Sequence, residues 1–187
     1  MKFTPHITYR NVVAVLCVAT SVCILGGWKY PFVPNGWMCA TRPMAPASAI
    51  CFLLIGLERL SPGHQTDVVT SAGILSVLIN IILDTALKPH EHSYTIIVDK
   101  PCVLTSIGFL VFCAGNLLGY SGLKTKFVGG IIVFLGGIVL VGYGIGNDVL
   151  TGVVQGRSGP MAIHSAVLFI LIGITQIRSR FVDEALK

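Results

Sequence analysis

The sequence predicts an all-α integral membrane protein in which six transmembrane helices form three tandem helical hairpins. Hydrophobic residues make up 53% of the 187 residues, charged residues only 11%, and the mean hydropathy is +0.82. A soluble domain carries about 25% charged residues, so this chain has too few to cover a surface that faces water. Its length leaves room for about six spans of about 20 residues with short loops.

One motif opens three of the predicted spans and indicates an internal repeat. Its first copy begins at Pro43 and its last at Pro160, and a weaker copy begins at Pro101 between them, so the prolines lie 58 and 59 residues apart. A serine follows each proline by five residues, at Ser48, Ser106 and Ser165. Such a period is typical of one supersecondary unit that is used several times.

The spans follow from the apolar runs and the residues that bound them. The first run is interpreted as an uncleaved helix, because no small-x-small cleavage site follows it. Each return span is expected to carry its proline in the first helical turn, where the missing N–H has no partner to lose. The predicted spans are 11–28, 43–60, 67–87, 101–120, 127–146 and 160–177. They form one transmembrane domain, 1–187, with hairpin repeats at about 11–60, 66–120 and 127–177.

Lysine and arginine counts predict the orientation. Eight of these residues fall on the side that holds both termini and five on the other side. Because cytoplasmic loops carry the excess of positive charge, both termini are predicted to be cytoplasmic. We expect a multi-pass protein of the bacterial inner membrane.

Glycines predict where the helices pack. Gly115 and Gly119 form a small-x-x-x-small pair in the fourth span, and every seventh residue of the fifth span is glycine at Gly130, Gly137 and Gly144. Lipid offers no hydrophobic drive for association, so bare backbone is what lets two helices approach. We expect the glycines of the fifth span to pack inside the chain. A docking face for another subunit is the alternative.

Three cations stand at or just before the starts of the return spans, at Arg42, Lys100 and Arg157. Helix N-termini carry partial positive charge and free N–H groups. Together with the three repeated serines, these cations can form a site for an anion or a lipid head group. The competing interpretation makes the cations interfacial anchors with long apolar stems. In that case each serine bonds back to the carbonyl four residues earlier.

Polar residues inside the spans are the other candidates. Asn80 and Asp84 lie one turn apart in the third span, and an ionisable group in a span indicates function by default. Lys88 is a further turn on, so a structural ion pair with Asp84 is the competing interpretation. Asn116 of the fourth span can bond across to this face.

No enzymatic or metal chemistry is predicted. His90 and His92 are the one metal-like pair, and Glu91 between them could assist. The only further loop ligands are His164 or Asp148 of another hairpin, so no metal site is expected.

Cys39 and Cys102 are the cysteines that can meet in an oxidising compartment, and this pairing stays open. The chain has no phosphate loop, no Ser-His-Asp set and no basic patch for nucleic acid. A cofactor is not predicted, with a bound lipid or pigment left open.

A resemblance comes from the two clear motif copies. They read Arg42-Pro-Met-Ala-Pro-Ala-Ser-Ala-Ile-Cys-Phe-Leu-Leu-Ile-Gly-Leu57 and Gly159-Pro-Met-Ala-Ile-His-Ser-Ala-Val-Leu-Phe-Ile-Leu-Ile-Gly173. This pattern resembles the N-terminal multi-helix membrane modules of some bacterial sensor histidine kinases and diguanylate cyclases. The resemblance covers about two thirds of the chain and implies a membrane sensor module with no catalytic residues. Those proteins continue into an output domain, whereas this sequence ends about ten residues after the last span.

Two functions follow from this combination. The first is a non-enzymatic interaction or accessory subunit of a larger membrane complex, such as a respiratory or photosynthetic one, with membrane lipids and other subunits as partners. The second is a sensor or ligand-binding module for a small amphiphile or anion, which signals through a partner protein. The lack of an output domain in this sequence favours the first, unless the sequence is a piece of a longer sensor.

Overall fold

The computed structural model describes residues 5–29, 44–61, 64–87, 102–117, 122–152 and 161–178; at 5–8, 27–29, 64, 83–87 and 122 it describes the backbone only. Every regular element within these ranges is a helix, which confirms the all-α prediction. The helices are α1 (Pro5–Lys29), α2 (Pro46–Leu60), α3 (His64–Leu87), α4 (Val103–Leu117), α5 (Gly122–Ile145) and α6 (Ile163–Arg178).

The helices alternate between long and short. α1, α3 and α5 have 25, 24 and 24 residues, whereas α2, α4 and α6 have 15, 15 and 16. Each helix packs against the one before it and the one after it, and α6 also packs against α1. The short helices meet inside this ring, where Phe52, Phe109 and Phe169 place their ring centroids 5.0, 5.0 and 5.1 Å apart.

Three helices of the described chain are long and apolar enough to cross a membrane. Their apolar windows are Tyr9–Gly26 in α1, Gln65–Ile82 in α3 and Leu123–Ile145 in α5. α4 and α6 are apolar but shorter, and α2 ends with the charged pair Glu58 and Arg59. The three long helices therefore suggest a membrane protein. The short helices do not have the length expected of a membrane span.

The prediction that the three short helices begin at their motif prolines is wrong. α2 begins three residues after Pro43, α4 two residues after Pro101 and α6 three residues after Pro160. In α2 the residue at the first helical position is Pro46. Because a proline disfavours helical backbone at the residue before it, Ala45 is extended, with φ −58° and ψ 140°, and the helix can only begin after it.

The other two short helices begin through side-chain and backbone contacts. Cys102 precedes α4, and its Sγ accepts the Thr105 backbone N–H at 3.4 Å, so a thiol takes the place of the usual N-cap oxygen. Before α6, the Met161 N–H donates to the Thr151 carbonyl at 2.8 Å, while the Tyr143 hydroxyl donates to the Met161 carbonyl at 2.8 Å. These two bonds hold the residues before α6 against the end of α5.

The middle short helix is one residue out of the predicted register. The first helical bonds run from Ala49 to Ala45, from Ser106 to Cys102 and from Ala166 to Ala162, each as N–H to carbonyl. Thr105, rather than the predicted Ser106, therefore occupies the position of Ser48 and Ser165, and these three side chains are buried. Ser106 is half-buried, and its hydroxyl donates back to the Cys102 carbonyl at 3.2 Å, as predicted for that serine.

The predicted glycine stripe of the fifth span is wrong as an internal packing surface. A Cβ added at Gly130, Gly137 or Gly144 would meet no described atom within 4 Å. Their neighbours do the packing, because a Cβ at Gly129 would lie 2.8 Å from the Gly173 carbonyl oxygen, and one at Gly136 would lie 2.6 Å from that of Ala166. Gly115 packs as predicted, with a Cβ there 2.8 Å from Val128 Cγ1, and Gly119 lies outside the described residues.

Candidate functional site

The inner faces of the short helices form layers along the bundle. The hydroxyl residues Ser48, Thr105 and Ser165 come first, and the phenylalanine triad follows one turn later. Seven residues beyond each phenylalanine, which is two turns on the same helix face, stands a polar residue. These residues are Arg59, Asn116 and Gln176, and all three are buried.

A hydrogen-bonded acid lies beside this polar layer. Asn116 donates from Nδ2 to Glu58 Oε2 at 3.2 Å, which joins α4 to α2. The Glu58 carboxyl also lies within hydrogen-bonding reach of the Asp67 carboxyl of α3. Glu58 and Asp67 are only 4% and 8% exposed.

The short connection between α2 and α3 brings these residues together. The Ser61 N–H donates to the Leu57 carbonyl at the end of α2, and the Thr66 hydroxyl donates to the Ser61 carbonyl at 2.8 Å. Asp67 thereby stands in the first turn of α3, and Arg59 in the last turn of α2. Each position suits the sign of the helix dipole, because acids are favoured at N-termini and cations at C-termini.

Glu58, Asp67, Asn116 and Arg59 form the polar cluster. Arg59 has the fewest hydrogen-bond partners in it. It is 9% exposed, and its guanidinium carbon lies 5.7 Å from the centroid of the Phe112 ring, which gives a cation–π contact. Two of its nitrogens, Nε and Nη2, are buried and have no hydrogen-bond partner among the described atoms. These two nitrogens form one edge of the planar guanidinium, the edge that donates two parallel hydrogen bonds.

The described bundle also buries hydroxyl and thiol groups. Cys113 of α4 donates from Sγ to the Ser71 carbonyl of α3 at 3.8 Å. The Ser71 and Ser21 hydroxyl oxygens are buried without a hydrogen-bond partner among the described residues. Small polar groups of this kind hydrogen-bond between helices in membrane bundles and can accept or donate to a bound molecule.

The polar cluster lies at the basic end of the described bundle. This end holds the first turns of the long helices and the last turns of the short ones, with the cations Arg10, Arg59, Lys124, Lys126 and Arg178. Its acids are Glu58 and Asp67. The guanidinium of Arg178 stacks over the Tyr9 ring at 5.5 Å, which ties α6 to α1 there.

The structure places few of the predicted site residues together. Asn80 is exposed and donates to the Ser76 carbonyl of its own helix at 2.8 Å, while Asn116 donates to Glu58. Asp84 is described by its backbone only. Cys102 is a buried free thiol, and Cys39, its candidate partner, lies outside the described residues. Also outside the described ranges are Arg42, Lys88, Lys100, Arg157, His90 and His92.

Sequence reasoning missed Glu58, Arg59, Asp67 and Gln176. A signal for the first two was present, since an acid and a base in the last turn of an apolar run are costly there without partners. Gln176 stands seven residues after Phe169, as Arg59 does after Phe52, but this spacing has meaning only once the phenylalanines are known to meet.

The cluster can bind and orient polar groups. Among the described residues, no group of three or more histidine, cysteine, aspartate and glutamate side chains could hold a metal ion. No protein-family model, curated protein or solved structure matches this chain.

Proposed function

We propose that the protein is a non-enzymatic, polytopic membrane protein that acts as an interaction or accessory subunit of a larger membrane complex, such as a respiratory or photosynthetic one. The observation that supports this proposal is the outer face of α5. Large apolar side chains and glycines alternate along it at steps of three and four residues. That spacing gives a heptad pattern, in which one face of a helix is presented to a partner helix.

Exposure distinguishes this face from the rest of α5. Its large side chains are 57% to 83% exposed, at Leu123, Phe127, Phe134, Val141 and Ile145. Gly130, Gly137 and Gly144 lie between them and have open space where a Cβ would stand. The surface therefore has apolar knobs separated by hollows, into which side chains of another helix can fit.

A partner helix suits this surface better than lipid does. Small residues are enriched where transmembrane helices touch, because they let the backbones approach and form close van der Waals contacts. Glycine also costs about 1 kcal/mol in helix propensity relative to alanine, and no contact within the described chain offsets that cost here. We infer that the offsetting contact comes from another membrane protein.

The proposed architecture is three tandem hairpins with six crossings and a period of about 58 residues. The equivalent positions on the three short helices support it. A 15-residue helix is only about 22 Å long, against about 30 Å of hydrocarbon, but inner helices enclosed by protein need not match the lipid. The cations at one end support cytoplasmic termini in a bacterial inner membrane.

The double variant Gly130→Leu/Gly137→Leu tests the docking face. A Cβ at either position meets no described atom within 4 Å, so the isolated protein is expected to stay folded when leucine fills the hollows. Wild type, purified gently in native lipid, should co-purify with a stoichiometric membrane protein, and the double variant should lose it at least tenfold. Gly26→Leu on α1 is the matched control, since a Cβ there also meets nothing within 4 Å. Self-association or a lone monomer in wild type would argue against an accessory subunit.

The second candidate function is a sensor or ligand-binding module for a small amphiphile or anion, signalling through a partner protein. The buried cluster around Arg59 favours it, because a bundle built only for scaffolding gains little from burying charge. Identification of small molecules retained by purified wild type tests this candidate, and the absence of any retained or added ligand would count against it.

A further inference from the structure

We propose that the Nε and Nη2 edge of Arg59 binds the oxyanion of a ligand, a carboxylate or a phosphate, at the basic end of the bundle. The inference rests on the ligand-binding candidate function and adds to it the chemical class of the ligand and the residue that holds it. It also moves the site away from the predicted one at Arg42, Lys100 and Arg157, which precede the starts of the short helices. Arg59 stands in the last turn of α2, at the other end of that helix.

The Arg59 guanidinium is a planar cation with five N–H donors and no acceptor. A buried donor without an acceptor loses its hydration and receives nothing in return, and the loss is greater for a charged group. The Nε and Nη2 donors of Arg59 are in this position among the described residues.

The acids beside Arg59 do not fill this edge. Glu58 Oε2 accepts from Asn116, and the Glu58 carboxyl lies beside that of Asp67. Among the described atoms, neither carboxyl accepts a hydrogen bond from Nε or Nη2 of Arg59. The Phe112 ring covers part of the guanidinium and offers no conventional acceptor atom.

The geometry of the edge selects the ligand class. Two parallel N–H groups on a rigid plane match the two oxygens of a carboxylate or phosphate, and the charge strengthens both bonds. A neutral carbonyl fills only one of the donors, and a cation is repelled. A planar or tetrahedral oxyanion is therefore the group that satisfies both nitrogens together.

The surroundings favour an anion that approaches from the basic end. Arg10, Lys124, Lys126 and Arg178 stand at that end, and the acids described there are Glu58 and Asp67. Because Arg59 belongs to the last turn of α2, the site is at a helix end and not at mid-bundle. The oxyanion can therefore come from an amphiphile whose tail stays in lipid or from a small free anion.

The experiment follows the Arg59 side chain directly. The full chain, labelled with ¹⁵N-arginine, is placed in micelles of dodecyl maltoside, which contain no phosphate or carboxylate, and the guanidinium Nε–H resonances are recorded. One arm adds inorganic phosphate or acetate at millimolar concentration. The second arm adds phosphatidylglycerol to the micelles, and a third adds palmitate. The Arg59 signal is assigned as the one that Arg59→Lys removes.

We expect the Arg59 Nε–H resonance to shift in one or more arms. We also expect the exchange of this proton with water to slow by at least tenfold there. A response to phosphate or acetate identifies a free anion as a source, and a response to phosphatidylglycerol or palmitate alone identifies a head group. A resonance that stays unchanged in all three arms overturns the proposal, because the readout is taken on wild type and Arg59→Lys serves only to assign the signal.

Binding by variants separates a specific site from general attraction to the basic end. Arg59→Lys keeps the charge but loses the forked edge, so retention of the responding probe should fall at least tenfold. Arg178→Lys, an exposed cation at the same end, should change retention less than twofold. Equal retention by wild type and Arg59→Lys would refute the site while leaving a ligand-binding function standing. If no probe and no co-purified molecule binds wild type, both fail.

Discussion

Asn116 donates to the carboxylate of Glu58 across 3.2 Å, and this bond joins two short helices at their last turns. Asn116 is 1% exposed and Glu58 4%. Apolar layers tolerate small rotations of one helix against another, whereas a buried acid with a single good donor does not. The pair therefore fixes how α2 and α4 are rotated relative to each other at their last turns, two turns beyond the phenylalanine triad.

Removal of this donor should destabilise the bundle. Asn116→Leu leaves the Glu58 oxygen without its partner in a buried site, which we expect to lower the free energy of unfolding by about 1–3 kcal/mol. Asn80→Leu is the matched control, because the exposed Asn80 donates to a carbonyl of its own helix, and its change should stay within about 0.5 kcal/mol. Unfolding in mixed micelles measures both. If both variants lower the free energy of unfolding equally, the Asn116–Glu58 bond has no particular role in stability.

Adjacent glycines of α5 should respond in opposite ways to the same substitution. Gly136→Ala places a Cβ 2.6 Å from the Ala166 carbonyl oxygen, so α5 must move away from α6 at a cost of about 1–3 kcal/mol. Gly137→Ala meets open space and should be neutral or gain up to about 1 kcal/mol from helix propensity. Thermal melting of the purified variants, followed by circular dichroism, checks the order. A Gly137→Ala variant that melts below Gly136→Ala contradicts the assigned faces.

Each ring of the aromatic triad should stabilise the core more than any other single side chain does. Phe109 packs edge to face on Phe52 and in a tilted arrangement on Phe169, and Phe109→Ala should cost about 3–5 kcal/mol. Phe134→Ala removes the same ring from the exposed face of α5 and should leave the folding free energy nearly unchanged. If loss of Phe134 proves as costly as loss of Phe109 in the isolated protein, the inner and outer positions are misassigned.

The thiol of Cys102 should contribute to the start of α4. Cys102→Ala removes the acceptor of the Thr105 N–H, as well as the 3.1 Å contact between Sγ and the Thr105 hydroxyl oxygen, and should cost about 1 kcal/mol. Cys23→Ala, at an exposed position of α1, serves as the comparison and should cost little. Because Cys102 is a free thiol, reducing agent should not shift the melting temperature of wild type. A clear shift would point to a disulfide instead.

The order and class of the helices could be predicted from the sequence, and their starts could not. The apolar runs indicated six helical segments in the right places. The start of α2 depends on the extended backbone that Pro46 imposes on Ala45, and the start of α4 on the Cys102 thiol as a cap. The proline-to-serine spacing aligned Ser106 with Ser48, whereas the helix start makes Thr105 its counterpart. Spacing measured from a residue outside the helix does not report which side chains turn inward.

The sequence by itself determined two properties of this chain. Its composition has too few charges to cover a surface that faces water, and each of its apolar runs is long enough to form a helix. Only the tertiary structure decided which faces are inside. One residue along a helix is a rotation of about 100°, so Gly136 and Gly137 point to different surroundings although their sequence context is the same. The same reason hid the cluster around Arg59. Whether a charged residue near a helix end meets water or the bundle interior depends on the neighbouring helices, which its own sequence does not specify.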